Sequence, residues 1–185
     1  ADEPPLEPVP DPVRHDGARG LTLGFFNKGL VLFRLKRYKL SLGAFESVLA
    51  LDETFSEAWY YNGLCNVHLE NNTTSITAFT RAIQLNPNYY DAYFEKGLVL
   101  SDMGNYSEAV VVLSRALEVD DNKPDAHYAR GLALEALGRY NDAFSSFTRT
   151  VVLDPEYSNA YFNLGATEGL SPVAGTAGER LSGRR

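Results

Sequence analysis

The sequence predicts an all-α solenoid built from one helix pair repeated about four and a half times. Three observations carry that prediction. A heptad recurs every 34 residues: "EAWYYNG" (57–63), "DAYFEKG" (91–97), "DAHYARG" (125–131) and "NAYFNLG" (159–165). Glycine recurs in phase with it, at Gly29, Gly63, Gly97, Gly131 and Gly165. Within each unit the apolar positions step at helical intervals, and glycine or proline marks where a helix should stop. A period of this length means a stack of small units, each burying its apolar face on its neighbours.

Residues 1–21 come first. The stretch "ADEPPLEPVPDPVRHDGARG" (1–20) is rich in proline, acid and glycine and offers almost nothing to bury. It is expected to be a disordered, polyproline-leaning linker.

The repeat begins at Thr22. Four residues before each glycine stands a ring (Phe25, Trp59, Tyr93, His127, Tyr161), and six after it a large apolar residue (Leu35, Leu69, Met103, Leu137). A small-residue row follows at Ser41, Ser75, Ala109 and Ala143. Then come Phe45, Phe79, Leu113 and Phe147, and after them Val48, Ala82, Ala116 and Thr150. Leu132, Leu134 and Leu137 flank Gly131, while Ala143, Phe147 and Val151 step at four, so each unit holds two amphipathic helices. Glycine and alanine let neighbouring helices approach closely, and the rings fill the gaps between them.

"GNYS" (104–107) and "GRYN" (138–141) supply the turn inside a unit, with Gly104 and Gly138 suited to a helix C-cap. "LNP" (85–87) and "LDP" (153–155) end the second helix, because proline keeps the preceding residue out of helical geometry. The units are therefore 22–55, 56–89, 90–123 and 124–157, with a partial unit over 158–170. Residues 171–185, "SPVAGTAGERLSGRR", show no helical face and are expected to form a disordered tail. Two departures stand out. Glu53 and Asp121 replace the prolines of units two and four, and Asn72 replaces the tyrosine of Tyr38, Tyr106 and Tyr140, which predicts a looser turn in unit two.

Composition narrows the function. At 185 residues with 44% hydrophobic and 12% aromatic content, the chain can bury a real core. It has no apolar run long enough for a membrane-spanning helix. A net charge of −7 argues against a nucleic-acid binder, which needs a basic face. Lys28, Arg34, Lys36, Arg37 and Lys39 crowd one segment and read as a solvated helix end. The chain starts at Ala1 without methionine, which suggests processing or excerpting. Asn71, Asn72 and Asn105 lie in glycosylation sequons, but asparagine is also an ordinary turn residue, so the compartment stays open with the cytoplasm favoured.

Chemistry for catalysis is missing from the pattern. Cys65, His15, His68 and His127 exhaust the cysteine and histidine supply, and His127 stands in the packing row, so neither a metal site nor a cofactor is expected. Phosphate loops, nucleophile elbows and zinc-protease motifs are absent.

These rows together resemble the tetratricopeptide repeat family over 22–165. The resemblance implies antiparallel helix pairs stacked into a right-handed superhelix, whose first helices line a groove for partner peptides. It places Phe26, Tyr60, Phe94, Tyr128 and Phe162 in that groove, beside Leu30, Leu64, Leu98 and Leu132. His68, Asp102 and Glu135 take further groove places, with Phe33, Arg34, Val67 and Ser101, and Glu57, Asp91 and Asp125 form an acidic rim. The carboxylate clamp of some family members does not thread onto this chain: Phe26, Leu30, Tyr61, Asp125 and Ala129 stand where its cationic and amide groups belong. The expected role is a scaffold or adaptor that binds a basic or partly apolar segment of a protein partner. The alternatives are self-association through the half-capped C-terminal unit, or service as the targeting domain of a larger enzyme.

Overall fold

The structure, a computed structural model, describes residues 12–170. The expected tail over 171–185 lies outside the described residues, as does the first part of the expected linker. Helices are the only regular elements among the described residues: α1 (Pro12–Arg34), α2 (Tyr38–Leu51), α3 (Ser56–His68), α4 (Asn72–Leu85), α5 (Tyr90–Asp102), α6 (Tyr106–Val119), α7 (Pro124–Ala136), α8 (Tyr140–Leu153) and α9 (Ser158–Leu170). Each packs on its sequence neighbours, and the first helices α3, α5 and α7 also touch one another in series. The result is an α-solenoid.

One boundary differs from the sequence reading. α1 begins at Pro12, inside the stretch 1–21 expected to be linker. Proline is tolerated at the first helical position, where its missing N–H has no partner to lose. Farther along, the Thr22 hydroxyl donates to the Ala18 carbonyl at 2.9 Å and is carried by the same helix.

Contact between the two helices of a unit rests on the glycine row. Phe45, Phe79 and Phe147 are fully buried, and their rings lie against the backbones of Gly29, Gly63 and Gly131. Leu113 does the same at Gly97. In unit one the Ser41 hydroxyl donates to the Gly29 carbonyl at 2.8 Å, a bond that only such a close approach allows.

The turns inside the units share one geometry. In unit three the Asn105 N–H donates to Leu100 O at 2.8 Å and the Gly104 N–H to Ser101 O at 2.9 Å, a Schellman closure. Unit two repeats it from Asn71 to Asn66 (2.8 Å) and from Glu70 to Val67 (3.0 Å), so the looser turn expected from Asn72 is not found. Backbone bonds, not the tyrosine, hold the turn. The left-handed residue is Gly104 or Gly138 in units three and four, but Lys36 (φ 57°) and Glu70 (φ 61°) in units one and two.

Links between units are also alike whether or not they contain proline. Asp52, Asn86, Asp120 and Asp154 each accept a backbone N–H two residues on, from Thr54, Asn88, Asn122 and Glu156, at 2.9 to 3.2 Å. These Asx turns end α2 and α6 at Leu51 and Val119 with Glu53 and Asp121 in proline's place.

Candidate functional site

The ring row three residues before each glycine does two things at once. Phe26 lies 5.7 Å from Phe45 of its own unit and 4.9 Å from Phe55 in the following link. Tyr60 repeats the pattern with Phe79 (5.9 Å) and Tyr89 (5.0 Å), and Tyr128 with Phe147 (5.7 Å) and Tyr157 (4.9 Å). These rings are half-buried and tie each unit to the next. Unit three has Leu113 and Lys123 at the two partner places, and Phe94 stacks on Tyr90 instead, at 5.9 Å with planes 11° apart. Phe162 is 79% exposed, for among the described residues nothing follows to cover it.

The leucines beside this row are graded. Leu30, Leu64 and Leu98 are half-buried, while Leu132 is 41% exposed. At the far ends of the first helices, His68 and Asp102 are exposed and Glu135 is half-buried. His68 stacks on Tyr38 with centroids 3.9 Å apart. Glu57, Asp91 and Asp125 are all exposed, as a rim would be, and Asp125 accepts the Tyr157 hydroxyl at 3.0 Å.

Two rows escaped the sequence reading. Phe55, Tyr89 and Tyr157 recur in phase, in "ETF", "PNY" and "PEY", and this spacing was the signal that could have found them. The second lies two residues before each glycine: Asn27, Tyr61, Glu95, Ala129 and Asn163. Two of these meet the ring of the unit before: Tyr61 is 5.9 Å from Phe26, and the Asn163 amide donates to the Tyr128 hydroxyl at 3.2 Å. Its signal is variety. A position that holds an amide, a phenol, a carboxyl and a methyl in turn, amid more uniform rows, is free to specify something.

Electrostatics concentrate in the middle units. Burial raises the Glu95 carboxyl above its usual range, and Asp91 adds to the shift. Burial likewise raises the Tyr60 hydroxyl, followed by the charges of Glu95 and Asp91. Tyr89 is raised by burial and then by Glu57 and Asp91, and Tyr90 by burial and then by Asp125 and Asp91. Burial, then the bond to Asp125, pushes Tyr157 up to about 12. No ion-pair partner meets Glu57, Asp91 or Glu95 among the described residues. The arrangement is a set of neutral rings in a negative field, the complement of a cationic or cation-bearing apolar group. Lys123 already shows the preference, with Nζ 5.4 Å above the Tyr90 ring.

Cys65 and His127 are packed away. Cys65 is fully buried, which pushes its thiol up and away from nucleophilic use. His127 is 3% exposed, with Nε2 3.0 Å from the Asp121 carbonyl.

Geometry and sequence together define a helical-repeat solenoid that presents a face of first helices. Profiles described as TPR repeat or tetratricopeptide repeat match residues 26–90, 78–111, 97–138 and 124–157, and the chain belongs to the tetratricopeptide repeat family. Proteins of this family are generally non-catalytic interaction modules, and the fold of this chain supports a protein-interaction scaffold. No curated protein matches it significantly. Among solved structures, it is similar to MamA from Desulfovibrio magneticus RS-1 at 22% identity, over 87% of this chain and 91% of that one, with a TM-score of 0.77. YrrB, described as a TPR protein with an unusual peptide-binding site, is 25% identical over 78% of this chain and 75% of its own, with a TM-score of 0.72. The TPR domain of Arabidopsis OM64 is 23% identical, covering 62% of this chain and 94% of that domain, with a TM-score of 0.59. No helix among the described residues is long and apolar enough to cross a membrane.

Proposed function

We propose that the chain is a non-catalytic adaptor that holds a basic, partly apolar peptide segment of a partner protein along the first helices of units two to four. The observation that carries this reading is the unpaired acidic set Glu57, Asp91 and Glu95 beside Tyr60, Tyr89, Tyr90 and Phe94. Leu64, Leu98 and Leu132 extend the apolar strip, with Tyr128 farther along it. The peptide-binding description of YrrB, of the same family, supports a peptide as ligand.

Charge reversal tests the reading without touching the packing. A labelled peptide of alternating lysine and leucine should lose about tenfold in affinity when Glu57 and Asp91 are both changed to lysine. Equal binding by the parent and the Glu57→Lys, Asp91→Lys protein would sink it.

One observation favours a second reading, pairing of two copies through α9. A Cβ on Gly165 meets nothing within 4 Å among the described residues, unlike those on Gly29, Gly63, Gly97 and Gly131. Phe162 and Tyr161 stand exposed on the same helix. Sedimentation that shows a dimer, lost in Phe162→Glu, supports this reading, and a monomer at millimolar concentration removes it.

A further inference from the structure

The turn from α1 to α2 carries Arg34, Lys36, Arg37 and Lys39 within six residues, all exposed and with no acid among them. None of the four has an ion-pair partner among the described residues. Local stability explains one of these charges. Arg34 lies in the last turn of α1, where the helix dipole favours a cation.

Two of the other three run against local preference. Lys39 sits in the first turn of α2, where the same dipole disfavours it. Lys36 takes φ 57°, as Glu70 does in unit two, at the place where units three and four use Gly104 and Gly138, so it carries a Cβ where glycine would be unstrained. Four like charges this close also repel one another. Residues that oppose the local structure cluster at functional sites, and here they coincide with an unpaired basic group.

A rigid ring shelf adjoins the charges. Tyr38 and His68 stack with planes 11° apart, and Phe33 lies 5.4 Å from Tyr38 and 5.6 Å from His68. Lys36, Arg37, Tyr38 and Lys39 line a shallow depression closed by Leu40 and Leu69.

We infer that this corner of unit one docks an acidic peptide segment of a partner protein. Arg34, Lys36 and Arg37 would hold its carboxylates, and an apolar or aromatic side chain would lie against Tyr38 and His68. The complement is a short peptide and not an extended polyanion, because the surface turns acidic farther on. Residues 90–123 hold three bases against seven acids. A nucleic acid or an anionic bilayer would meet that repulsion, whereas a peptide can change sign along its length. Joined to the proposed function, the inference orients the bound segment: acidic end at unit one, basic end toward unit three.

A labelled Asp/Glu-rich nonapeptide with one phenylalanine is the probe, measured by fluorescence anisotropy at low salt. Saturable binding is expected, weakened about tenfold or more in Arg34→Glu, Lys36→Glu, Arg37→Glu and lost as salt rises. Arg115→Glu should bind as the parent does. Lys36→Gly separates this account from a merely structural one, because it should melt higher and bind more weakly. The Glu57→Lys, Asp91→Lys protein should still bind the acidic probe, which keeps failure here distinct from failure of the proposed function. Three outcomes overturn the inference: no acidic-peptide binding, equal binding by the triple variant, or tighter capture of oligo(dT) or phosphatidylserine vesicles through the same residues.

Discussion

Phe79 lies so close to Gly63 that a Cβ added there would stand 2.5 Å from its Cε1 atom. Phe45 and Gly29 repeat the relation at 2.6 Å. The second helix of a unit therefore rests on the bare backbone of the first, and any side chain at the glycine must push a fully buried ring aside.

Gly63→Ala should then destabilise the chain by about 1–3 kcal/mol despite alanine's better helix propensity. Gly165→Ala, in the same row, should be neutral or stabilising by up to about 1 kcal/mol, because among the described residues nothing crowds it. Urea unfolding of the two proteins side by side checks both, and equal effects would contradict the packing account.

The turns predict a gain. Glu70 holds φ 61° where Gly104 and Gly138 hold 77° and 70°. Glu70→Gly should stabilise by about 0.5–1 kcal/mol, the relieved strain being partly offset by the greater freedom of glycine in the unfolded chain. A lower melting temperature for Glu70→Gly would show that this backbone is unstrained.

Much of this architecture was legible because the repeat assigns equivalence. Once Gly63 aligns with Gly97 and Gly131, the pairing with Phe79, Leu113 and Phe147 sixteen residues on follows as a pattern. Equivalence does not say which way a ring points. Phe26, Tyr60 and Tyr128 read as groove residues, yet each also covers a ring of its own second helix and one in the following link. The start of α1 at Pro12 was illegible for another reason: a proline-rich composition signals extended chain except at the first turn of a helix, where proline fits. The crowd of bases around Lys36 read as a solvated helix end until the backbone showed which of them sit against preference.

Acid should loosen unit four. His127 takes the place of Phe25, Trp59 and Tyr93 in the packing row, with Nε2 donating to the Asp121 carbonyl and Nδ1 buried without a partner. Burial lowers its pKa from 6.5, the Asp121 carbonyl opposes that shift, and Arg130 on α7 and Arg149 on α8 add to it, with the Asp121 carboxylate against them. The unfolded chain thus takes up a proton that the folded chain refuses. Stability is full above the ordinary histidine value and falls as pH drops through the window down to the lowered one. His127→Phe should remove that loss, so that its urea midpoint falls less than the parent's between about pH 7.5 and pH 5. Parallel pH dependence of the two urea midpoints would contradict it.

The central claim is that partners lie along the first helices of the solenoid, and hydrogen exchange of a complex tests it most directly. The partner segment recovered by pull-down, added at saturation, should slow exchange in α3, α5 and α7 and leave α4, α6 and α8 unchanged. Protection confined to the second helices would contradict the account.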